Sequence, residues 1–220
     1  MALEADEEIT ILLVDGKSFS QRHTYRLDVP DFTNKAIAVA GELLDRHDCE
    51  GLNIRYHPEF VTEENIATVI QEGDCVLMGV DNHATRNTVS RHCAGDELQN
   101  VVLISSGNEG VEDDQTGTYG NTQIYIKEDG VDLTAPLHKF HPEIADPADH
   151  SPAEAGCDET GAPQLTITNM FAATMAASAL LRLLMDGNGE QQAESPQFDE
   201  VSFDVCRAVS QPHWLTTPSA

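Results

Sequence analysis

Residues Gly73 to Arg86, GDCVLMGVDNHATR, restrict the choice of fold more than any other part of the chain. An apolar run over Asp74–Val80, bounded by Gly73 and Asp81, has the length of a strand covered on both faces. It runs directly into the acid–amide pair Asp81-Asn82, and a helix opens across His83-Ala84-Thr85-Arg86. In open α/β sheets ligands collect at the carboxyl ends of such strands, where loops and helix N-termini expose polar groups. A carboxylate there can hold hydrated Mg²⁺ beside nucleotide phosphates. Asp81 or Asn82 could equally serve only as the cap of the helix.

The neighbouring segments extend this pattern. Ile9–Val14 is a second buried-strand candidate and ends at Asp15-Gly16. A polar segment follows, from Lys17 to Pro30, and helical periodicity runs from about Thr33 to His47. A short strand over Leu52–Tyr56, a helix from Thr62 to Glu72, the Asp74–Val80 strand, a helix over 83–94 and a strand over Val101–Ile104 come next. Residues 118–128 read as a more exposed strand. Thr134–Pro163 is rich in Pro, His and acids, too polar to pack, and long for a plain connection. Thr166–Met185 is the longest helix; Ile167, Met170, Phe171, Met175, Leu180 and Leu184 leave it apolar on most sides, which predicts burial. A linker over 188–198 leads to a final strand near Val201–Val205. Alternating strands and helices predict a mostly parallel, doubly wound α/β sheet. The expected domains are 1–187, the linker, and a C-terminal strand and tail over 199–220.

Charge narrows the partners. With 38 acidic and 12 basic residues the formal net charge is −26, which disfavours nucleic-acid backbones and anionic membrane surfaces, since both need Lys and Arg to neutralise phosphates. No segment reads as a membrane span. The N-terminus lacks the regions of a signal peptide. Five scattered cysteines without a C-x-x-C pair suit a reducing, cytoplasmic setting.

Several segments, in this order, resemble the ThiF, MoeB and ubiquitin-activating enzyme superfamily. LLVDGKSFSQRHTYRL resembles the family's strand ending in an acid, followed by a loop with Asn and, three residues on, Arg. Asp15 takes the acidic position and Arg26 the arginine position, while His23 stands where the asparagine is expected. Asn34-Lys35-Ala36 resembles the Lys-Ala that opens the next helix. Val80-Asp81-Asn82 with Arg86 matches a D-N-x-x-x-R pattern, the most specific of the set. Gln164 and Asn169 before an alanine-rich helix resemble the approach to the last core helix. The resemblance spans roughly residues 9 to 205 and implies a Rossmann-like fold that adenylylates the C-terminus of a ubiquitin-like or sulfur-carrier protein with ATP and Mg²⁺. It implies that Asp15 holds the ribose, that Arg26 and Lys35 neutralise phosphates, and that Asp81, with Asn82 beside it, holds the metal as pyrophosphate departs. Dimerisation, with itself or with a second subunit, is expected from the family.

Two departures qualify these expectations. The family's opening strand and G-x-G-x-x-G loop, whose backbone N–H groups cradle phosphate, have no counterpart in the eight residues before Ile9. The fold is therefore expected to be truncated at its N-terminus relative to the family: a truncated reading frame, a site completed by another chain, or a non-catalytic partner-binding subunit. The second concerns the thiol that many members use to form a thioester. Cys157 lies in the long loop, but its acidic neighbours would raise its pKa, so an inert loop cysteine is the competing reading. Cys75 and Cys93 read as core residues. His138, His141 and His150, with Glu143, Asp146 and Asp149, form no zinc spacing, so a solvated loop is expected in preference to a metal site.

Overall fold

In the computed structural model the described residues are 8–19, 30, 33–47, 50–112, 115–151, 163–186 and 199–214. They fall into two compact units, one within Met1–Asn65 and the other within Ile66–Ala220, each with its own main sheet.

The first unit is a βαβ crossover. Strands β1 (Ile9–Val14) and β2 (Leu52–His57) pair in parallel, Ile9 opposite Leu52 and Val14 opposite His57. Parallel neighbours need a crossover, and helix α1 (Lys35–Arg46) supplies it. Its buried face consists of Ala36, Ala38 and Ala40, small side chains that allow a close approach to a strand pair. Ile11 and Leu12 of β1 stay more than a third exposed, so β1 is not the buried strand its composition predicts. Two strands with one helix do not cover both faces.

In the second unit the predicted helix before the central strand shrinks to α2 (Ile66–Val69), preceded by a turn in which Asn65 Oδ1 accepts a hydrogen bond from the Thr62 amide at 2.8 Å. Strand β3 (Cys75–Met78) leads to helix α3 (His83–Ala94) and then to β4 (Val101–Asn108), which pairs with β3 in parallel. A small hairpin, β5 (Val111–Glu112) with β6 (Gln115–Thr116), precedes β7 (Tyr119–Glu128). The chain then passes through β8 (Val131–Asp132) and the short helices α4 (Leu137–Phe140) and α5 (Pro142–Ala145). Helix α6 (Thr166–Asp186) and strands β9 (Glu200–Asp204) and β10 (Val209–His213) complete it. The sheet order is β10-β9-β7-β4-β3. Each unit thus holds a parallel pair, β1–β2 in the first and β3–β4 in the second, and within the second unit β7, β9 and β10 extend the sheet in antiparallel fashion.

Four sequence expectations change here. The 118–128 strand is not an exposed one: β7 lies between β4 and β9, with Ile124 and Tyr125 almost wholly buried. Its polar residues Thr122 and Gln123 are buried too, which is why its sequence reads as exposed. The strand expected to be covered on both faces, β3, is instead the last strand of the sheet, with Cys75 exposed and Leu77 49% exposed. Cys75 is therefore no core residue, whereas Cys93 is fully buried in α3 and its thiol is pushed up to about 12 by burial. The 134–163 segment does pack in its first part: Ala135, Leu137 and Ile144 are buried, as is Thr134, whose hydroxyl satisfies the β7 backbone at Ile124 and Ile126.

Helix α6 is the fourth. It lies on β4 and β7 through Ala176 and Ala179, which meet Ile104 and Ile124, and through the buried Ala172, whose carbonyl accepts from Ser106 Oγ at 3.0 Å. Ile167 and Met170 are each 61% exposed, and Phe171 and Leu184 are exposed as well. The small residues face the sheet because they bring the helix axis close; of the large ones named from the sequence, Ile167, Met170 and Leu184 are exposed, whereas Leu180 packs against the core and the Phe171 ring lies 4.9 Å from that of Phe203. Over Thr166–Leu184 this helix is, by length and composition, apolar enough to cross a membrane, contrary to the expectation that no segment is. Its alanine face also makes it the core helix of this sheet.

Candidate functional site

At the end of β3 the chain makes the Gly79–Asn82 turn and enters α3. Asn82 is the N-cap: its backbone is extended (φ −135°, ψ 148°) and its Oδ1 accepts from the Thr85 amide at 2.8 Å. That oxygen serves the helix, which is the capping role the sequence left open beside cofactor binding. Asp81, just before the cap, is exposed at the carboxyl end of a parallel strand.

Arg86, one turn into α3, faces inward and is 8% exposed. Its Nη1 donates to Ser105 Oγ at 2.7 Å, and its Nη2 donates to the carbonyls of Val80 at 2.6 Å and Ser106 at 3.1 Å. The guanidinium therefore ties the end of β3 to the end of β4. Gly107 makes room for it, because a Cβ there would stand 2.4 Å from Nη2. Burial pulls the Arg86 pKa below its usual value, while the carboxylates of Asp81 and Asp149 act in the opposite sense.

Asp149 arrives from 65 residues away. Its Oδ2 accepts from the His83 amide at 2.7 Å and its Oδ1 from the Ala84 amide at 2.9 Å. These are first-turn N–H groups of α3 with no partner inside the helix, and the positive end of the helix dipole favours a carboxylate there. Asp149 entered the sequence reading only as a member of a possible loop metal cluster. A contact over 65 residues leaves no local pattern by which it could have been found.

The segment leading to Asp149 is fastened a second time. His141 Nδ1 stands 3.2 Å from Glu143 Oε1, and its Nε2 makes an ion-pair contact with Glu200 Oε1 at 3.1 Å. Glu200 raises the His141 pKa, against the opposing effect of burial. Burial would raise the Glu200 carboxyl, but His141 and the Asn121 amide at 2.6 Å hold it below its usual value. His138 packs instead against α3, its Nδ1 2.9 Å from Ser90 Oγ. Among the described residues no group of three or more His, Cys, Asp and Glu side chains could hold a metal ion, and His138 and His141 belong to packed contacts, not to a solvated loop.

In the first unit Asp15 Oδ1 accepts from the Lys17 amide at 2.7 Å, an Asx-type turn, and the Asp15 carbonyl accepts from Asn34 Nδ2 at 2.7 Å. Lys35, half-buried, opens α1, and its amide donates to the Lys17 carbonyl at 2.9 Å. Asp15 and Lys35 are thus brought to one turn, with Asn34 between them. Arg26, His23 and Cys157 lie outside the described residues.

The ThiF family profile matches residues 27–213, most of the chain. This chain belongs to the ThiF family. Its fold is shared with solved ThiF-type structures of low sequence identity. Escherichia coli MccB with the MccA peptide superposes with a TM-score of 0.61 at 14% identity, covering 96% of this chain and 58% of MccB. MccB with ATP gives 0.61 at 13% identity, with 96% and 58% covered. PaaA gives 0.59 at 11% identity, with 94% and 57% covered. The chain spans less than three-fifths of the length of these structures. No curated protein matches it in sequence. Asp81 and Arg86 are the acid and the arginine of the D-N-x-x-x-R stretch, one exposed at a strand end and the other buried in α3.

Proposed function

We propose that this ThiF-family chain contributes to the ATP-dependent adenylylation of a peptide or protein C-terminus, in the class of ubiquitin-like or sulfur-carrier substrates. The observation that carries the reading is Asp81: an exposed carboxylate at the carboxyl end of a parallel strand, on a turn held by a buried cation. The similar folds support it, since MccB is solved both with ATP and with the MccA peptide.

The residues present suit a nucleotide-borne Mg²⁺. One hard oxygen donor, with no surrounding protein cage among the described residues, is what that ion takes when phosphates and water complete its shell. Asp81 would hold the metal, and the metal, when bound, neutralises charge on the phosphates. Asp15 would receive the ribose hydroxyls; its Oδ2 stands beside the Oδ1 engaged by Lys17. Lys35 and Arg26 would meet phosphate charge. The substrate carboxylate would attack the α-phosphorus, forming the acyl–phosphate bond as the bond to pyrophosphate breaks. Cys157 would then be the candidate thiol for acyl transfer. A reducing cytoplasmic setting and a dimeric or split assembly complete the proposal.

A second reading is a ThiF-fold subunit that binds a partner, or one half of a split activating enzyme. The specific observation favouring it is β3, which ends the described sheet with Leu77 and Cys75 exposed. A strand edge of this kind invites pairing.

ATP–pyrophosphate exchange with candidate carrier proteins tests the first reading. Exchange that depends on the carrier and disappears in Asp81→Ala is expected; exchange that survives the substitution rejects the role of Asp81. Exchange that appears only after a second subunit is added supports the split reading.

A further inference from the structure

Arg86 is a buried cation whose three hydrogen-bond acceptors, Ser105 Oγ and the carbonyls of Val80 and Ser106, are all neutral. Two carboxylates from different elements lie close enough to favour its charge: Asp81, the residue after the Val80 carbonyl that Arg86 holds, and Asp149, hydrogen-bonded to the His83 and Ala84 amides of the same helix turn. Burying a charge is costly unless it is paired as well as hydrogen-bonded. If Asp81 were the only counter-charge, a divalent cation bound to it would leave the guanidinium unbalanced, and Asp81 would bind the cation weakly. Asp149 prevents this, because it is fixed by two amide hydrogen bonds on α3 and does not depend on Asp81 for its place. The same two bonds fix His83 and Ala84, the residues that follow the Asp81-Asn82 turn.

We propose that Asp149 is a positioning residue for the Asp81 site, holding the Asp81–Ala84 turn in place and remaining as the counter-charge of Arg86 when Asp81 takes a divalent cation. This rests on the metal role given to Asp81 above. It adds a residue from the loop segment to a site whose other members come from the strand–helix turn.

The test is Asp149→Asn in the full chain, read in two ways. Amide hydrogen exchange reports the turn: one of the two helix-end bonds is lost, and exchange at His83 and Ala84 should rise about tenfold, while the α3 interior and the melting temperature change little. Titration with Mn²⁺, in the presence and absence of ATP, reports the charge. Affinity at the Asp81-dependent site should fall by several-fold, with Asp149→Glu restoring part of it and Asp81→Asn abolishing it. Unchanged exchange at His83 and Ala84 overturns the positioning role. Lowered exchange protection with unchanged Mn²⁺ affinity overturns the counter-charge role. If the wild-type chain binds no Mn²⁺ under either condition, the counter-charge role and the metal role of Asp81 both fall, while the exchange measurement still decides whether Asp149 holds the turn.

Discussion

Two turns in this protein start from the same plan and are built differently. Each leaves a parallel strand at an aspartate, and an asparagine then caps the next helix: Asp15 with Asn34 in the first unit, Asp81 with Asn82 in the second. Around Asp15 the partners are neutral groups. Lys17 closes the carboxylate turn two residues on, and Asn34 both caps α1 through Ile37 and holds the Asp15 carbonyl. Around Asp81 the cap is confined to Thr85, and the turn is gripped by charges, with Arg86 on the preceding carbonyl and Asp149 on the amides that follow. A neutral turn keeps its shape whatever binds nearby. A turn held by charges responds to any cation or anion that enters, which suits a place where a metal-bound nucleotide is handled.

The comparison breaks most visibly at Arg86. Arg86→Gln removes three bonds from a buried position and leaves the Val80 and Ser106 carbonyls short of donors, so urea denaturation should show a loss of about 3–5 kcal/mol. Gly107→Ala, which crowds the same guanidinium without removing it, should cost about 1–3 kcal/mol. If neither substitution moves the urea midpoint, the Asp81 turn is not gripped by this cation.

A smaller effect separates the two caps. Asn82→Ala should cost about 1 kcal/mol, the usual worth of an N-cap. Asn34→Ala should cost more, by about another 1 kcal/mol, because the same side chain also donates to the Asp15 carbonyl. Equal losses for the two would remove the distinction between a cap that also builds its turn and one that does not.

The smallest effect is pH-dependent and belongs to the second fastening of the loop segment. His141 is raised above its usual range in the folded chain, chiefly by Glu200. Its contribution is therefore fully present below the unfolded histidine pKa and fades as pH rises through the raised folded value. Glu200 is held low, so its contribution persists above the usual carboxylate range. The stability difference between wild type and His141→Gln, on the order of 1 kcal/mol, should be largest near pH 5–6 and shrink toward alkaline pH. A difference that grows with pH would reverse the assignment.

How far the sequence could be read follows from the range of the contacts. The D-N-x-x-x-R pattern placed the strand-to-helix turn at residues 80–86, and the helix and strand around it are found there. The Asn82 cap is a local contact that the sequence could suggest, but the pattern could not say that Arg86 faces inward, since that depends on Ser105, Ser106 and Gly107, which stand 19 to 21 positions downstream. The burial of β7 was missed because Thr122 and Gln123 look solvent-facing until Ser106 and the Ala135 carbonyl are brought to them. The outward face of α6 is not legible because periodicity marks apolar positions without saying that Ala176 and Ala179, with Leu180 and Leu183 beside them, meet the sheet while Ile167 and Met170 do not. Arg26 and Cys157, central to the family resemblance, lie outside the described residues, so their roles rest on sequence alone.

The central claim is that Asp81 engages a metal-bound nucleotide. Calorimetric titration of Mg·ATP into the full chain, beside Asp81→Ala, tests it most directly. The account predicts magnesium-dependent binding to the wild type that the substitution removes. Magnesium-dependent binding of equal strength in both proteins would contradict it.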